Sequence, residues 1–125
     1  MYQSIHLVLA DQLAYNGYRL ILVRHKEEQL TIWHKSKMST VYFSADESSE
    51  NYDCVVTIEN EKILVEYEDE GRVQYFGREI GKGHFSLECP EHSGKASLHM
   101  FEGSEILEGS WVESSYRGMW KIKLA

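Results

Sequence analysis

Six histidines (His6, His25, His34, His84, His92 and His99) and two cysteines (Cys54 and Cys89) are the side chains of this sequence best suited to hold a metal or attack a substrate. Their spacing favours neither. There is no His-x-x-x-His pair and no compact Cys/His cluster of the kind that wraps zinc. His92 lies beside Glu91 and close to Cys89, a group that would take up a metal only adventitiously. Cys54 alternates with Val, Ile and Tyr, and in such apolar company a thiolate is disfavoured. The serines include no Gly-x-Ser-x-Gly elbow. Gly81-Lys82-Gly83 has no helix after it to cradle a phosphate. The carboxylates Asp46, Glu47, Glu50 and Asp53 lack the glycine and the ligand spacing of a calcium loop. No catalytic residue, metal site or cofactor is expected, and the chain reads as a binder rather than an enzyme.

The aromatic residues carry the stronger functional hint. Eight Tyr, four Phe and three Trp make up 12% of the chain. Tyr and Trp join a broad apolar surface to a hydrogen-bonding tip, which suits a pocket for an amphipathic ligand. The ones that matter must sit on one face of a sheet, so the elements come next.

The last third pairs with itself. Residues 95–101, 105–113 and 118–124 read as three strands, with turns between Gly103 and Ser104 and between Ser115 and Tyr116. That register sets Ala96–Trp111–Trp120, Leu98–Gly109–Ile122 and Met100–Leu107–Leu124 in rows across one face. Upstream, a turn at Asn60-Glu61 sets Ile58 opposite Ile63, Val56 opposite Val65 and Cys54 opposite Tyr67. Asn tolerates the positive φ that such a turn requires. A second turn, Asp69-Glu70-Gly71, sets Tyr67 opposite Val73, Val65 opposite Tyr75 and Ile63 opposite Gly77, with Glu68 meeting Arg72 outside. A slip of one residue would turn every apolar side chain outward, so alternation fixes the pairing. After the turn at Gly81-Lys82-Gly83, residues 84–88 form a short strand with Phe85 and Leu87 inward, and Pro90 ends it. By the same parity His99 points outward.

The first half is less regular. Residues 18–25, 30–34 and 40–44 read as strands. Residues 1–15 fit either a strand or a short helix. Residues 46–53 read as an acidic, Ser-rich loop.

A chain of 125 residues with 42% hydrophobic and 26% charged content suits one globular domain. No run approaches the roughly 18 apolar residues of a membrane helix. Nor does the N-terminus have the basic, then apolar, then small-residue order of an export signal. With two cysteines and no disulfide framework, reduced thiols and a cytoplasmic location are expected. The net charge of −7 argues against nucleic-acid binding, which needs Lys and Arg against phosphate. Residues 46–70 hold ten acids and one base, Lys62. Residues 19–37 hold five bases (Arg19, Arg24, Lys26, Lys35, Lys37) against Glu27 and Glu28. An acidic face of this kind either steers a basic partner or simply keeps the protein dissolved.

About ten short antiparallel strands in chain order imply an all-β, up-and-down meander, closed or nearly closed into a barrel. A two-sheet sandwich is the alternative. In length, meander order and its paired Gly-x-Trp units (Gly109-Ser110-Trp111 and Gly118-Met119-Trp120), the sequence resembles the calycin barrels: lipocalins, avidins and fatty-acid-binding proteins. Lipocalins carry their Gly-x-Trp on the first strand, whereas here both units lie near the end, so no family ligand residue carries over. The stretch from Leu107 to Ile122 also resembles small bacterial barrel domains.

Two functional expectations follow. The first is non-enzymatic binding of a small, partly apolar molecule inside the barrel, against Tyr67, Tyr75, Trp111 and Trp120, with residues 46–53 as a rim. Those rings would equally serve to fill a barrel with no cavity. The second is a protein-interaction module of adaptor, inhibitor or immunity type, whose acids Glu59, Glu66 and Glu68 meet a basic partner. An enzyme on a barrel scaffold ranks third.

Overall fold

The computed structural model describes residues 29–43 and 47–125. Eight strands follow one another through them: β1 (Leu30–Tyr42), β2 (Glu47–Glu59), β3 (Lys62–Glu68), β4 (Arg72–Gly81), β5 (His84–Cys89), β6 (Gly94–His99), β7 (Ile106–Glu113) and β8 (Tyr116–Lys123). Each pairs antiparallel with the next, and β8 returns to pair with β1. The sheet is therefore a closed up-and-down barrel and not a two-sheet sandwich. Among the described residues every strand has a neighbour on both sides, so the ring has no edge strand.

The middle of the barrel follows the alternation of the sequence. Cys54 faces Tyr67, Val56 faces Val65 and Ile58 faces Ile63. Tyr67 faces Val73, Val65 faces Tyr75 and Ile63 faces Gly77. Asn60 takes the positive φ of its turn, and Glu70 and Gly71 do so in the next. Glu68 stands opposite Arg72 as expected. The guanidinium, however, reaches Glu66, with Nε 3.7 Å from Oε2. This exposed pair adds little to stability.

The first half differs from expectation. The segments 30–34 and 40–44 belong to one strand, β1, which ends at Tyr42 and spans 13 residues. The acidic stretch 46–53 is no loop from Glu47 onward, because it forms the start of β2. Ser and Glu have little intrinsic preference for strands. Here Ser48 and Ser49 pair with Val41 and Thr40, which are themselves held by Met119 and Trp120 of β8. Tertiary pairing on a ready-made neighbour outweighs propensity. Two bulges make the long pairing possible. β1 carries an extra residue between Trp33 and Ser36, and β2 carries one opposite Met38 and Thr40, near Asn51 with its φ of 57°. The first turns Ser36, Met38 and Thr40 inward, and the second offsets it so that the register returns to its starting value. The strands expected at 18–25 and within 1–15 lie outside the described residues. Among the described residues there are eight strands.

Hydrogen bonds from beyond β8 fix the β1 bulge. The Lys35 N–H donates to the Ala125 carbonyl at 2.8 Å. The Ala125 N–H donates to Ser36 Oγ at 3.2 Å, and that buried hydroxyl donates to the Trp33 carbonyl at 3.2 Å.

The C-terminal meander is in the expected order with one register corrected. Ala96 faces Trp111 and Leu98 faces Gly109, as the alternation requires. On β8, however, Trp111 faces Gly118, and Trp120 faces Gly109, so the two indoles are not directly opposite. The turn is at Ser114-Ser115, with Ser114 at positive φ, two positions from the expected register. A two-residue slip keeps every side chain on its face, so periodicity could not reveal it. Sterics decide it. A Cβ on Gly118 would come within 2.8–2.9 Å of the Trp111 indole and 1.8 Å of the Val41 carbonyl. Gly118 thus makes room for Trp111, while a Cβ on Gly109 would run into the β6 backbone, 1.8 Å from the Ser97 carbonyl oxygen.

Side chains on the inward parity fill the axis. Met38, Val56, Val65, Tyr75, Leu98, Leu107 and Ile122 have no exposed surface and share one core with Trp111 and Trp120. Eight strands enclose a space that side chains can occupy completely. Gly118→Ala should destabilise the fold by at least about 1–3 kcal/mol, the cost of overpacking a tight interior. Urea unfolding of this variant checks the interlock, and an unchanged midpoint would refute it.

Candidate functional site

The four residues expected to line a cavity do come together. Tyr75 meets Trp120 edge-on, with ring centroids 4.8 Å apart and an interplanar angle of 83°. Tyr67 meets the same indole at 6.0 Å and 82°. Trp111 and Trp120 stack at 6.3 Å and 29°. The cluster extends through Tyr42 against Trp111 at 5.0 Å and Tyr52 against Tyr67 at 5.8 Å. Edge-to-face pairs at such spacings contribute beyond their buried area.

Two polar contacts anchor the rings. Trp111 Nε1–H donates to Thr40 Oγ1 at 3.1 Å, tying β7 to β1 inside the barrel. The Tyr75 hydroxyl donates to Glu113 Oε2 at 2.5 Å. Thr40, Tyr42, Tyr52 and Glu113 are members that sequence reading did not single out. Glu113 shares the inward parity of Trp111, so its place was legible. Tyr52 was hidden by the assignment of its surroundings to a loop.

The tyrosine hydroxyls of the cluster and the two nearby thiols hold their protons. Burial pushes the hydroxyls of Tyr75, Tyr67 and Tyr52 well above their ordinary range. For Tyr75 the hydrogen bond to Glu113 adds to this. Burial likewise pushes the Cys54 thiol up to about 12 and raises that of Cys89. Both thiols are free and buried. Neither is primed as a nucleophile.

Recesses among the described residues lie on the wall and rim. One of about 490 Å³ runs over the outside of β2 to β5, lined by Thr57, Glu59, Lys62, Leu64, Phe76 and Arg78 among others. Its floor includes a row in register, Thr57 opposite Leu64 and Leu64 opposite Phe76, and Ile32 continues that row on β1 opposite Thr57. Phe76 is 43% exposed and Ile32 40%. A second, of about 350 Å³, includes Tyr52, Tyr67, Asp53 and Glu68. A third, of about 740 Å³, lies between the β4–β5 turn and the loop after β6. Tyr67 lines the second; Tyr75, Trp111 and Trp120 line none of the three.

The acids expected to meet a partner share the outer face of β2 and β3. Glu59 and Glu68 are exposed. Glu66 accepts a hydrogen bond from Gln74 Nε2 at 2.7 Å and is 17% exposed. Lys37 pairs with Asp53 nearby. His34, His84, His92 and His99 are exposed, His99 on the outer face as its parity requires. His6 and His25 lie outside the described residues. No group of three or more His, Cys, Asp or Glu among the described residues is gathered to hold a metal. No helix among them is long and apolar enough to cross a membrane, which says nothing of strands.

No protein-family model, curated protein or solved structure matches this chain.

Burial of ionisable hydroxyls and thiols has a consequence for stability. Unfolded Cys and Tyr lose their protons at about pH 8.5 and 10, while the folded groups hold theirs to higher pH. The unfolded state then binds fewer protons, so stability is complete below about pH 8.5 and falls as pH rises beyond it. Urea midpoints measured from pH 8 to 11 should decline, most steeply above about pH 10. A flat profile would contradict the burial of these groups. Trp120→Ala should cost about 3–5 kcal/mol as a large-to-small core change.

Proposed function

We propose that this chain is a non-enzymatic interaction module that engages a basic, partly apolar segment of another protein on the outer wall of its barrel. The observation that carries this reading is the row Thr57, Leu64 and Phe76 in a recess of about 490 Å³, continued on β1 by exposed Ile32. Large apolar side chains gathered on a sheet face mark interaction sites when polar groups rim them. The rim has Lys62 and Arg78 within it, but the acids of residues 46–70 outnumber the bases of that stretch ten to one. Glu59 borders the strip, and Glu66 and Glu68 continue the same face. Such a field favours a basic partner and speeds its approach.

The order of strands supports a calycin-like reading of the fold, since eight-stranded up-and-down barrels are the architecture of that group. Calycins hold ligands on the axis. Here Tyr75, Trp111 and Trp120 are packed on one another, which favours the wall over the interior. A second reading, of a small amphipathic ligand, rests on Tyr52 and Tyr67, which reach a recess of about 350 Å³ at the rim. Free, buried Cys54 and Cys89 support a reducing, cytoplasmic setting.

Selection from a library of random peptides tests the proposal. Selected peptides should combine Lys or Arg with aromatic or aliphatic residues. Their binding should be lost in Phe76→Asp. Charge reversal of Glu59, Glu66 and Glu68 to Lys should slow association and remove its salt dependence. Peptides that bind Phe76→Asp as well as the parent would overturn the wall reading. A panel of amphiphiles that raises the melting temperature with concentration, and no longer does so in Tyr67→Ala, would establish the second reading instead.

A further inference from the structure

We propose that His84 and His99 form a surface site for a divalent transition-metal ion that favours right-angled coordination, copper(II) or nickel(II). His84 opens β5 and His99 closes β6, directly opposite each other. Both rings rise from the outer wall at one point. Their Nδ1 atoms are 2.8 Å apart, and the ring planes cross at 84°. Without a metal, one ring donates a hydrogen bond and the other accepts it.

The close approach of the rings suits neighbouring positions on a right-angled ion. Two metal–nitrogen bonds of about 2.0–2.1 Å closing a gap of 2.8 Å enclose an angle of about 90°. Tetrahedral zinc needs an angle near 109°, and hence a gap of about 3.3 Å. Neighbouring positions of a square-planar or tetragonal ion need about 90°, the geometry of copper(II) and nickel(II) with nitrogen and oxygen ligands. Both rings are exposed, so a small rotation converges their lone pairs. The donating ring then moves its proton from Nδ1 to Nε2, and no net proton is released.

The surroundings suit a cation. Glu108 stands opposite His99 on β7 and shares its outer face. The two rings open into the recess of about 740 Å³ that also holds Met100, Phe101 and Ile106. The loop forming its far side is held by Lys82 Nζ, 3.1 Å from Glu102 Oε1. The histidines supply two ligands, and water or another oxygen donor in the recess completes the shell. The site uses none of the strip formed by Ile32, Leu64 and Phe76.

Titration of the full chain with aqueous Cu²⁺, Ni²⁺ and Zn²⁺ tests the assignment, beside His84→Ala, His99→Ala and, as a control, His92→Ala. The parent and the control should bind one more Cu²⁺ than either pair variant, or bind it at least ~10-fold more tightly, the lower bound of what losing even a supporting group costs. Paramagnetic resonance of that ion should show two nitrogen donors. Both substitutions are on the exposed wall, so thermal unfolding should be unchanged and separates loss of the site from loss of the fold. Pair variants that bind Cu²⁺ like the parent would overturn the proposal. So would Zn²⁺ displacing Ni²⁺ from the pair.

Discussion

The barrel depends on the close fit of the Trp111 indole over Gly118, where a Cβ would come within 2.8–2.9 Å of the ring. Trp111 stands opposite Gly118 and Trp120 opposite Gly109, so the indoles stack on a diagonal of the β7–β8 ladder. This places Trp120 opposite Thr40 of β1 and lets Trp111 donate its hydrogen bond to the same threonine. Closure of the sheet and filling of its interior are therefore one event. The strand that completes the ring is also the strand that plugs it. Tyr75 and Tyr67 then pack on Trp120, and the Tyr75 hydroxyl finds Glu113 across the barrel.

A filled axis supports the proposal of a site on the outer wall. Cross-strand rows that alternate inward and outward give the same rigid frame two faces. The inner face is spent on packing. The outer face offers an apolar strip among acids on one side and a pair of histidines on the other. Both are held on strands, whose backbone hydrogen bonds fix side-chain positions more closely than loops do. A site on the wall needs no mobile rim to admit its partner. That agrees with the acidic stretch from Glu47 onward being a paired strand instead of a loop.

Much of this was legible in the residues. Strict alternation from Cys54 to Gly77 gave the register of β2, β3 and β4, because any odd slip would expose the core. Asn60 and Gly71 marked their turns. Two features were hidden for opposite reasons. The β7–β8 register differs from the simplest reading by two residues, a change invisible to periodicity and visible only to volume. Placing Gly opposite Trp in both units would have found it. The β1–β2 pairing breaks parity twice, at bulges that no local residue announces, and its Ser and Glu residues look like loop until their neighbours are known. Parity brought the four aromatic rings, Tyr67, Tyr75, Trp111 and Trp120, to one face. The outer row of Ile32, Thr57, Leu64 and Phe76 needs three registers at once, and the meeting of His84 with His99 needs the β5–β6 pairing.

The proposal of a binding wall rests on a barrel axis occupied by its own side chains. Xenon enters dry apolar cavities of about 150 Å³ and is visible by its scattering. A crystal pressurised with xenon therefore tests the claim most directly. The account predicts no xenon on the axis between Tyr67, Tyr75, Trp111 and Trp120. A xenon atom bound among those four rings would contradict it and restore an internal ligand site.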